Sequence, residues 1–162
     1  MRCINVFVVV LLFLILFASC STVGSGQIDY FGFKTSIFTV VAEEDTHGGF
    51  QGDGSYYLIL DCSDKPAQAI ELTKDWNSLP LSENLHLIMY GGEKDGVYYG
   101  YNLAEKANWP IIKNGVYKFV DRHEESIDMA DDTNLFERYS FNFAVAVYDL
   151  DTHTLYYFEF DT

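Results

Sequence analysis

The loop from Asp45 to Gly54 holds the residues whose types and spacing come nearest to a chemical site. The carboxylates of Asp45 and Asp53 are hard oxygen ligands of the kind that calcium prefers, and the imidazole of His47 can act as a ligand or a general base. Four glycines allow positive φ and close backbone approach. The spacing departs from the D-x-D-x-D-G calcium pattern, so the alternative interpretation is an ordinary turn between strands.

Phe50 lies near the centre of this loop and separates two expectations for it. Ordering four glycines costs considerable backbone entropy, which either packing or a ligand must offset. A buried Phe50 would hold Asp45, His47 and Asp53 in fixed positions, which is a preorganised site. An exposed Phe50 would instead indicate an interaction surface.

Tyrosine doublets are a second candidate feature, at Tyr56-Tyr57, Tyr98-Tyr99 and Tyr156-Tyr157. Consecutive strand residues point to opposite faces of a sheet, so each doublet places one ring on the face that helices cover and one on the other. If these strands are neighbours, the open face carries a row of tyrosines suited to sugars or peptides. The alternative is that tyrosine is simply a good strand former. The candidate ligand-binding residues are therefore Asp45, His47, Asp53, Tyr57, Tyr99 and Tyr157.

The segment from Arg122 to Thr133 is polar and rich in acids, which predicts a surface loop. Its five carboxylates repel one another unless a cation or solvent separates them, so it is a weaker candidate for calcium. Calcium is the one cofactor that the sequence suggests. Arg122 and His123 beside this loop are interpreted as local charge compensation.

Motifs for catalysis are absent from the sequence. There is no phosphate-binding loop, no serine-nucleophile elbow and no paired histidine motif for zinc. We therefore expect no catalytic residues and favour a non-catalytic binding or interaction module. The alternative is a small extracytoplasmic hydrolase that uses His47 with Asp45 or Asp53.

The chain is strongly acidic, with 24 Asp and Glu residues against 10 Lys and Arg residues and a formal net charge of −14. Such a surface repels phosphate backbones, which disfavours nucleic acid as a partner. Cationic, peptide or carbohydrate ligands remain. For most of the acidic residues the alternative is that they keep an exported domain soluble.

The N-terminus contains thirteen consecutive apolar residues, Val6 to Ala18, preceded by one charge at Arg2. A membrane-spanning helix needs about 20 such residues, whereas a secretory leader needs roughly 7 to 15. The end of the run, Phe17-Ala18-Ser19-Cys20, resembles the lipobox of bacterial lipoprotein precursors, with phenylalanine where leucine is usual. The resemblance implies cleavage before Cys20, lipid attached at Cys20 and a domain anchored on the extracytoplasmic face of the cell membrane. The alternative is an uncleaved anchor helix.

These boundaries predict a signal peptide over 1–19, a flexible tether over 20–27 and a single α+β domain over 28–162. Of the three cysteines, Cys3 leaves with the leader and Cys20 takes lipid, so Cys62 has no partner for an intramolecular disulfide. The domain must then be held together by packing alone.

Periodicity predicts an α+β domain, a mostly antiparallel sheet with one or two helices packed on one face. Alternating segments from Tyr139 to Phe160 predict a central hairpin. Ser63 and Pro66 predict the start of a helix over about 66–77 that packs through Ala69, Leu72 and Trp76. Further predicted elements are strands over Ile28–Phe33, Ser36–Ala42, Ser55–Leu60, Val97–Asn102 and Val116–Asp121, and a helix over about 81–89 for which a strand is the alternative.

Overall fold

The structure is a computed structural model that describes Ile28, residues 31–48 and residues 52–162. Its strands are β1 (Thr39–Asp45), β2 (Gly54–Asp61), β3 (Asn77–Ser78), β4 (Gly92–Lys94), β5 (Val97–Tyr99), β6 (Gly115–Asp121), β7 (Asn142–Asp149) and β8 (Thr154–Asp161). Six of them form one antiparallel sheet in the order β1-β2-β8-β7-β6-β3, and β4 and β5 form a separate hairpin. The helices are α1 (Pro66–Leu72), α2 (Glu83–Tyr90) and α3 (Leu103–Lys106). The predicted α+β class with a mostly antiparallel sheet is confirmed.

The hairpin of β7 and β8 lies at the centre of the sheet, as the alternating pattern predicts. Asp149 closes its turn by accepting the backbone N–H of Asp151 at 2.9 Å and the hydroxyl of Thr152 at 2.9 Å. His153 completes the turn in the left-handed region, with φ of 54°. Asp is common in tight connections because its side-chain carboxylate accepts hydrogen bonds from backbone N–H groups a few residues further on.

Helices cover both faces of the sheet, whereas the sequence predicts cover on one. Along β8, Leu155 and Tyr157 belong to a core beneath α1, which we call the first face, while Tyr156 and Phe158 belong to a core beneath α2 and α3, the second face. The physical reason is that the side chains of β7 and β8 are apolar on both faces of the sheet. Each face therefore has an apolar surface that other elements must cover. The prediction of one covered face is therefore wrong.

The first helix packs as predicted but ends earlier. Ala69 is fully buried in the first-face core, and Leu72 packs against it. The helix ends at Leu72, and both the backbone N–H and the hydroxyl of the next residue, Thr73, donate to the carbonyls of Ala69 and Ile70. Trp76 therefore lies in the turn beyond the helix, where it is still buried.

The second helix is confirmed over the strand alternative. Ser82 accepts the backbone N–H of Leu85 at 3.2 Å, which satisfies one of the free donors at the helix start. Gly91 ends the helix with φ of 75°, a conformation that glycine adopts without steric cost. Leu85, Ile88 and Met89 face the second-face core.

The N-terminal part of the domain forms less strand than the sequence predicts. Ile28 and residues 31–34 form no strand, and Thr35–Ile37 is a short 3-10 turn before β1. Phe31 and Phe33 are instead buried against Trp76, with ring centroids 5.8 and 5.7 Å from its ring. These aromatic residues fill the first-face core rather than pair with a neighbouring strand.

None of the helices in the described part of the chain is long and apolar enough to cross a membrane. The leader, the lipobox and the tether lie outside the described residues, so they stay predictions. Cys62 is a free and buried thiol. Burial raises its pKa to about 12, which leaves little reactive thiolate at neutral pH.

Candidate ligand site at the strand ends

His47 joins the loop after β1 to the last strand of the sheet. Its Nδ1 lies 2.7 Å from Oδ1 of Asp45, and its Nε2 lies 3.0 Å from Oδ2 of Asp161. Its backbone N–H also donates to Oδ1 of Asp45, at 2.9 Å. The histidine and one aspartate of the predicted site are thus brought together, and Asp161 joins them from 114 positions further along the chain.

The two ring nitrogens of His47 each lie against a carboxylate oxygen. Both ring nitrogens are therefore engaged within the protein, and a substrate could reach either one only by displacing a carboxylate. The imidazole side chain is also only 18% exposed. His47 therefore links the end of β1 to the end of β8 through Asp45 and Asp161.

Arg122 forms the buried part of the same network. Its Nη1 lies 2.9 Å from Oε2 of Glu159, and its Nη2 lies 2.9 Å from Oδ1 and 3.1 Å from Oδ2 of Asp161. Burial opposes the charge of Arg122, but the two carboxylates outweigh it and hold the pKa of the guanidinium above its ordinary value. Charge-assisted bonds of this kind fix a side chain in one orientation.

Glu159 is fully buried in the central strand and has two partners. Arg122 binds one of its oxygens, and the hydroxyl of Tyr157 donates to the other. Burial, followed by the Glu159 carboxylate, raises the pKa of Tyr157 well above its ordinary value, so the phenol stays protonated as a donor. A buried carboxylate with these partners is a structural element of the fold.

A polar cavity of about 300 Å³ opens beside this network. Its lining includes Asp53, Arg122, His123, Tyr139, Ser140 and Asp161. It therefore contains Asp53 of the predicted site, and through Asp161 it adjoins His47. The cavity is at the lower end of the volume range for small-ligand sites.

His123 and Ser140 lie within hydrogen-bond distance in the cavity wall, but the hydrogen bond between them runs in the wrong direction for catalysis. Nδ1 of His123 accepts the backbone N–H of Glu125 at 3.2 Å. In the neutral ring Nε2 then carries the proton and donates to Oγ of Ser140, 3.2 Å away. A serine nucleophile needs a histidine that accepts its proton, so this pair does not activate Ser140.

The predicted row of tyrosines does not form. Tyr157 is fully buried on the first face, whereas Tyr57 lies on the second face, where it pairs in register with Phe158. Tyr99 lies on the separate hairpin of β4 and β5, with its ring 4.6 Å from that of Phe136. The prediction of an open tyrosine face is wrong because β5 does not join the main sheet and because helices cover both faces. A ligand role for each tyrosine is left as a prediction.

No group of three or more His, Cys, Asp or Glu side chains that could hold a metal ion occurs in the residues that the structure describes. Within the 122–133 loop, Asp128 and Asp131 accept backbone N–H groups two residues further on. Just before the loop, Asp121 at the end of β6 lies 2.6 Å from Nη1 of Arg138. Phe50 lies outside the described residues, as do its two neighbours, so its burial and calcium binding in that loop stay predictions.

The pairing of Arg122 with Glu159 and Asp161 was missed by sequence reasoning. The signal was present in the alternating stretch Phe158-Glu159-Phe160-Asp161, where two acids two residues apart share one face of an otherwise apolar strand. A buried carboxylate requires a cationic or hydrogen-bonding partner. What the sequence does not indicate is which of the ten basic residues supplies it.

Comparison with known proteins finds no relative of this chain. No protein-family model, curated protein or solved structure matches the chain.

Proposed function

We propose that the chain is a membrane-anchored bacterial surface lipoprotein whose domain is a non-catalytic binding module, with the polar cavity at the strand ends as its ligand site. The anchor rests on the lipobox-like Phe17-Ala18-Ser19-Cys20. The choice of a binding role over the hydrolase rests on one observation, the engagement of both ring nitrogens of His47 by Asp45 and Asp161 at 2.7 and 3.0 Å. The charged groups of the network beside the cavity, His47, Arg122, Glu159 and Asp161, are held by contacts with one another or with Asp45.

Carbohydrate is the ligand class that we propose for this cavity. Arg122 is already neutralised by Glu159 and Asp161, so the cavity offers no free cation to an anionic ligand. Tyr139 at its rim is 72% exposed, and its hydroxyl is held by Glu124 at 2.7 Å. A fixed and exposed aromatic ring beside several hydrogen-bonding groups is a stacking surface for a sugar.

The test is a screen of neutral oligosaccharides followed by substitution of the stacking residue. We expect Tyr139→Ala to weaken binding about tenfold, the loss of one well-placed aromatic contact. Tyr98→Ala is the matched control, because Tyr98 is 73% exposed but lies on the β4–β5 hairpin outside the cavity. Affinity is measured by calorimetry. Equal losses in the two variants, or no oligosaccharide bound at all, would contradict the proposal.

A small hydrolase is the second candidate, and one contact favours it. His47 lies within hydrogen-bond reach of Asp45, as a base with its orienting carboxylate would. Asp161 opposes this role because it occupies Nε2, the nitrogen that would have to face a substrate. Turnover of activated esters that is lost in His47→Gln but retained in His86→Gln would favour the hydrolase over the binding module.

A further inference from the structure

A second cleft, of about 310 Å³, lies on the second face of the sheet. One wall is α2, which contributes His86 and Tyr90, and the opposite wall is the segment Ile111–Lys113. Val147 of β7, which is almost fully buried, forms part of the lining together with Leu79. The cleft is therefore separate from the polar cavity and shares no residue with it.

The walls of this cleft are held at a fixed spacing. The hydroxyl of Tyr90 donates to the carbonyl oxygen of Pro110 at 3.0 Å, which ties α2 to the opposite wall. Burial raises the pKa of Tyr90 to about 12, so this donor is retained at neutral pH. Leu79 is fixed in turn by its backbone N–H, which donates to the carbonyl of Gly115 at 3.0 Å. The cleft is thus preformed and costs little conformational entropy to fill.

The lining of the cleft is mostly apolar, and its ionisable groups other than Tyr90 are basic. Its ionisable residues besides the neutral Tyr90 are His86 and Lys113, and no Asp or Glu lines it, although the chain has 24 of them. Within the described part of the chain Lys113 makes no ion pair or hydrogen bond. Ile111, next to it, is 77% exposed at the cleft. An exposed apolar side chain beside an unpaired cation is the complement of an amphipathic anion.

We propose that this cleft binds a small amphipathic carboxylate, with its hydrocarbon chain against Leu79, Ile111 and Val147 and its carboxylate beside Lys113. A cationic ligand would meet like charge, and a neutral one would leave the ammonium group without a partner. The volume of the cleft agrees with a short chain. Hexanoate has roughly eight non-hydrogen atoms and needs at most about 240 Å³ if each atom occupies the volume of one water molecule in the liquid. This second site goes beyond the proposed carbohydrate site and does not depend on it.

The experiment titrates the full chain in lipid nanodiscs with hexanoate and follows the isoleucine methyl signals by NMR. We expect saturable shifts at Ile111 and Ile112 and none at Ile127, which is fully exposed elsewhere on the surface. Hexanol has the same hydrocarbon chain without the charge, and we expect it to bind at least about fivefold more weakly, the effect of one charge-assisted contact. Equal affinities for hexanoate and hexanol would overturn the assignment of Lys113.

Two pairs of variants place the site. Lys113→Gln should weaken hexanoate binding about threefold to tenfold, whereas Lys106→Gln, an exposed lysine at the end of α3, should leave it unchanged. Ile111→Glu introduces a negative charge into the cleft and should abolish binding, and the same change at Ile127 should not. Thermal melts confirm that each variant folds. Binding retained in Ile111→Glu, or lost equally in both members of a pair, would overturn the proposal.

Discussion

Arg122 and Glu159 form the residue pair on which the strand-end network depends. Glu159 is fully buried, and the Arg122 side chain is mostly buried, with Nη1 and Oε2 2.9 Å apart. Removing one partner of such a pair leaves an uncompensated charge in the interior, which costs more than the pair itself contributes. The network is therefore vulnerable at single positions.

Arg122→Met should lower the free energy of unfolding by about 3 to 5 kcal/mol, because Glu159 then remains buried without its cation. The double variant Arg122→Met with Glu159→Gln should recover part of that loss, since the second change removes the unpaired charge. Both are measured by urea unfolding at neutral pH. A double variant no more stable than Arg122→Met would show that the pair is not the source of the effect.

Trp76 and the helix α1 cover the first face of the sheet. Trp76 is buried against Phe31 and Phe33, and Ala69 on α1 is fully buried in the same core. The indole ring therefore packs against the N-terminal segment in the same core as α1.

Trp76→Ala should destabilise the domain by about 3 to 5 kcal/mol, the usual cost of a large cavity in a core. Tyr98→Ala is the control, since Tyr98 is mostly exposed and its loss should change stability by at most about 0.5 kcal/mol. Denaturant unfolding of the two variants checks both values. An unchanged midpoint for Trp76→Ala would remove this residue from the core.

Local signals predicted the elements well, and long-range placement is where the sequence was insufficient. Pro66 marks the start of α1, and Ser82 and Gly91 mark the two ends of α2, each through backbone chemistry within a few residues. In the run Phe143–Tyr148 the side chains on both faces of the strand are apolar, so the run does not indicate whether one face of the sheet is covered or both. The contact of His47 with Asp161 depends on strand order, which no local pattern encodes.

Alkaline pH tests the buried phenol and thiol groups of the whole domain. Burial, with the charges of Cys62 and Asp149, raises the pKa of Tyr148 from 10.0 to about 12, and burial raises that of Cys62 from 9.0 to about 12. Above pH 9 the unfolded chain releases these protons while the folded chain keeps them. The folded state then binds more protons, so stability falls as pH rises.

The free energy of unfolding should therefore fall between about pH 9 and 12, with about 3 kcal/mol from Tyr148 alone for its shift of two pKa units. Urea unfolding at a series of pH values measures it. In Cys62→Ala the decline should begin nearer pH 10, because the buried thiol has the lower ordinary pKa of the two groups and is then absent. A flat profile from pH 9 to 12 in the parent chain would contradict the burial of these groups.

Membrane attachment is the remaining property that we propose for the whole molecule, and it would depend on Cys20. The predicted cleavage before this residue would remove Arg2 and leave nine basic residues against 24 acidic residues, a formal charge of −15. A surface of that charge is repelled by anionic headgroups, so electrostatics would not hold the domain at a membrane. Lipid on Cys20 would have to supply the attachment.

Cys20→Ala should block both lipid attachment and processing. Because the apolar run Val6–Ala18 is then retained, the variant should migrate at the size of the precursor, while the parent chain migrates as the processed form in the membrane fraction. Fractionation followed by immunoblotting separates the outcomes, and Cys3→Ala is the control, since Cys3 lies inside the predicted leader and its loss should change neither size nor fraction. A Cys20→Ala chain that reaches the processed size and still sediments with membranes would exclude Cys20 as the anchor.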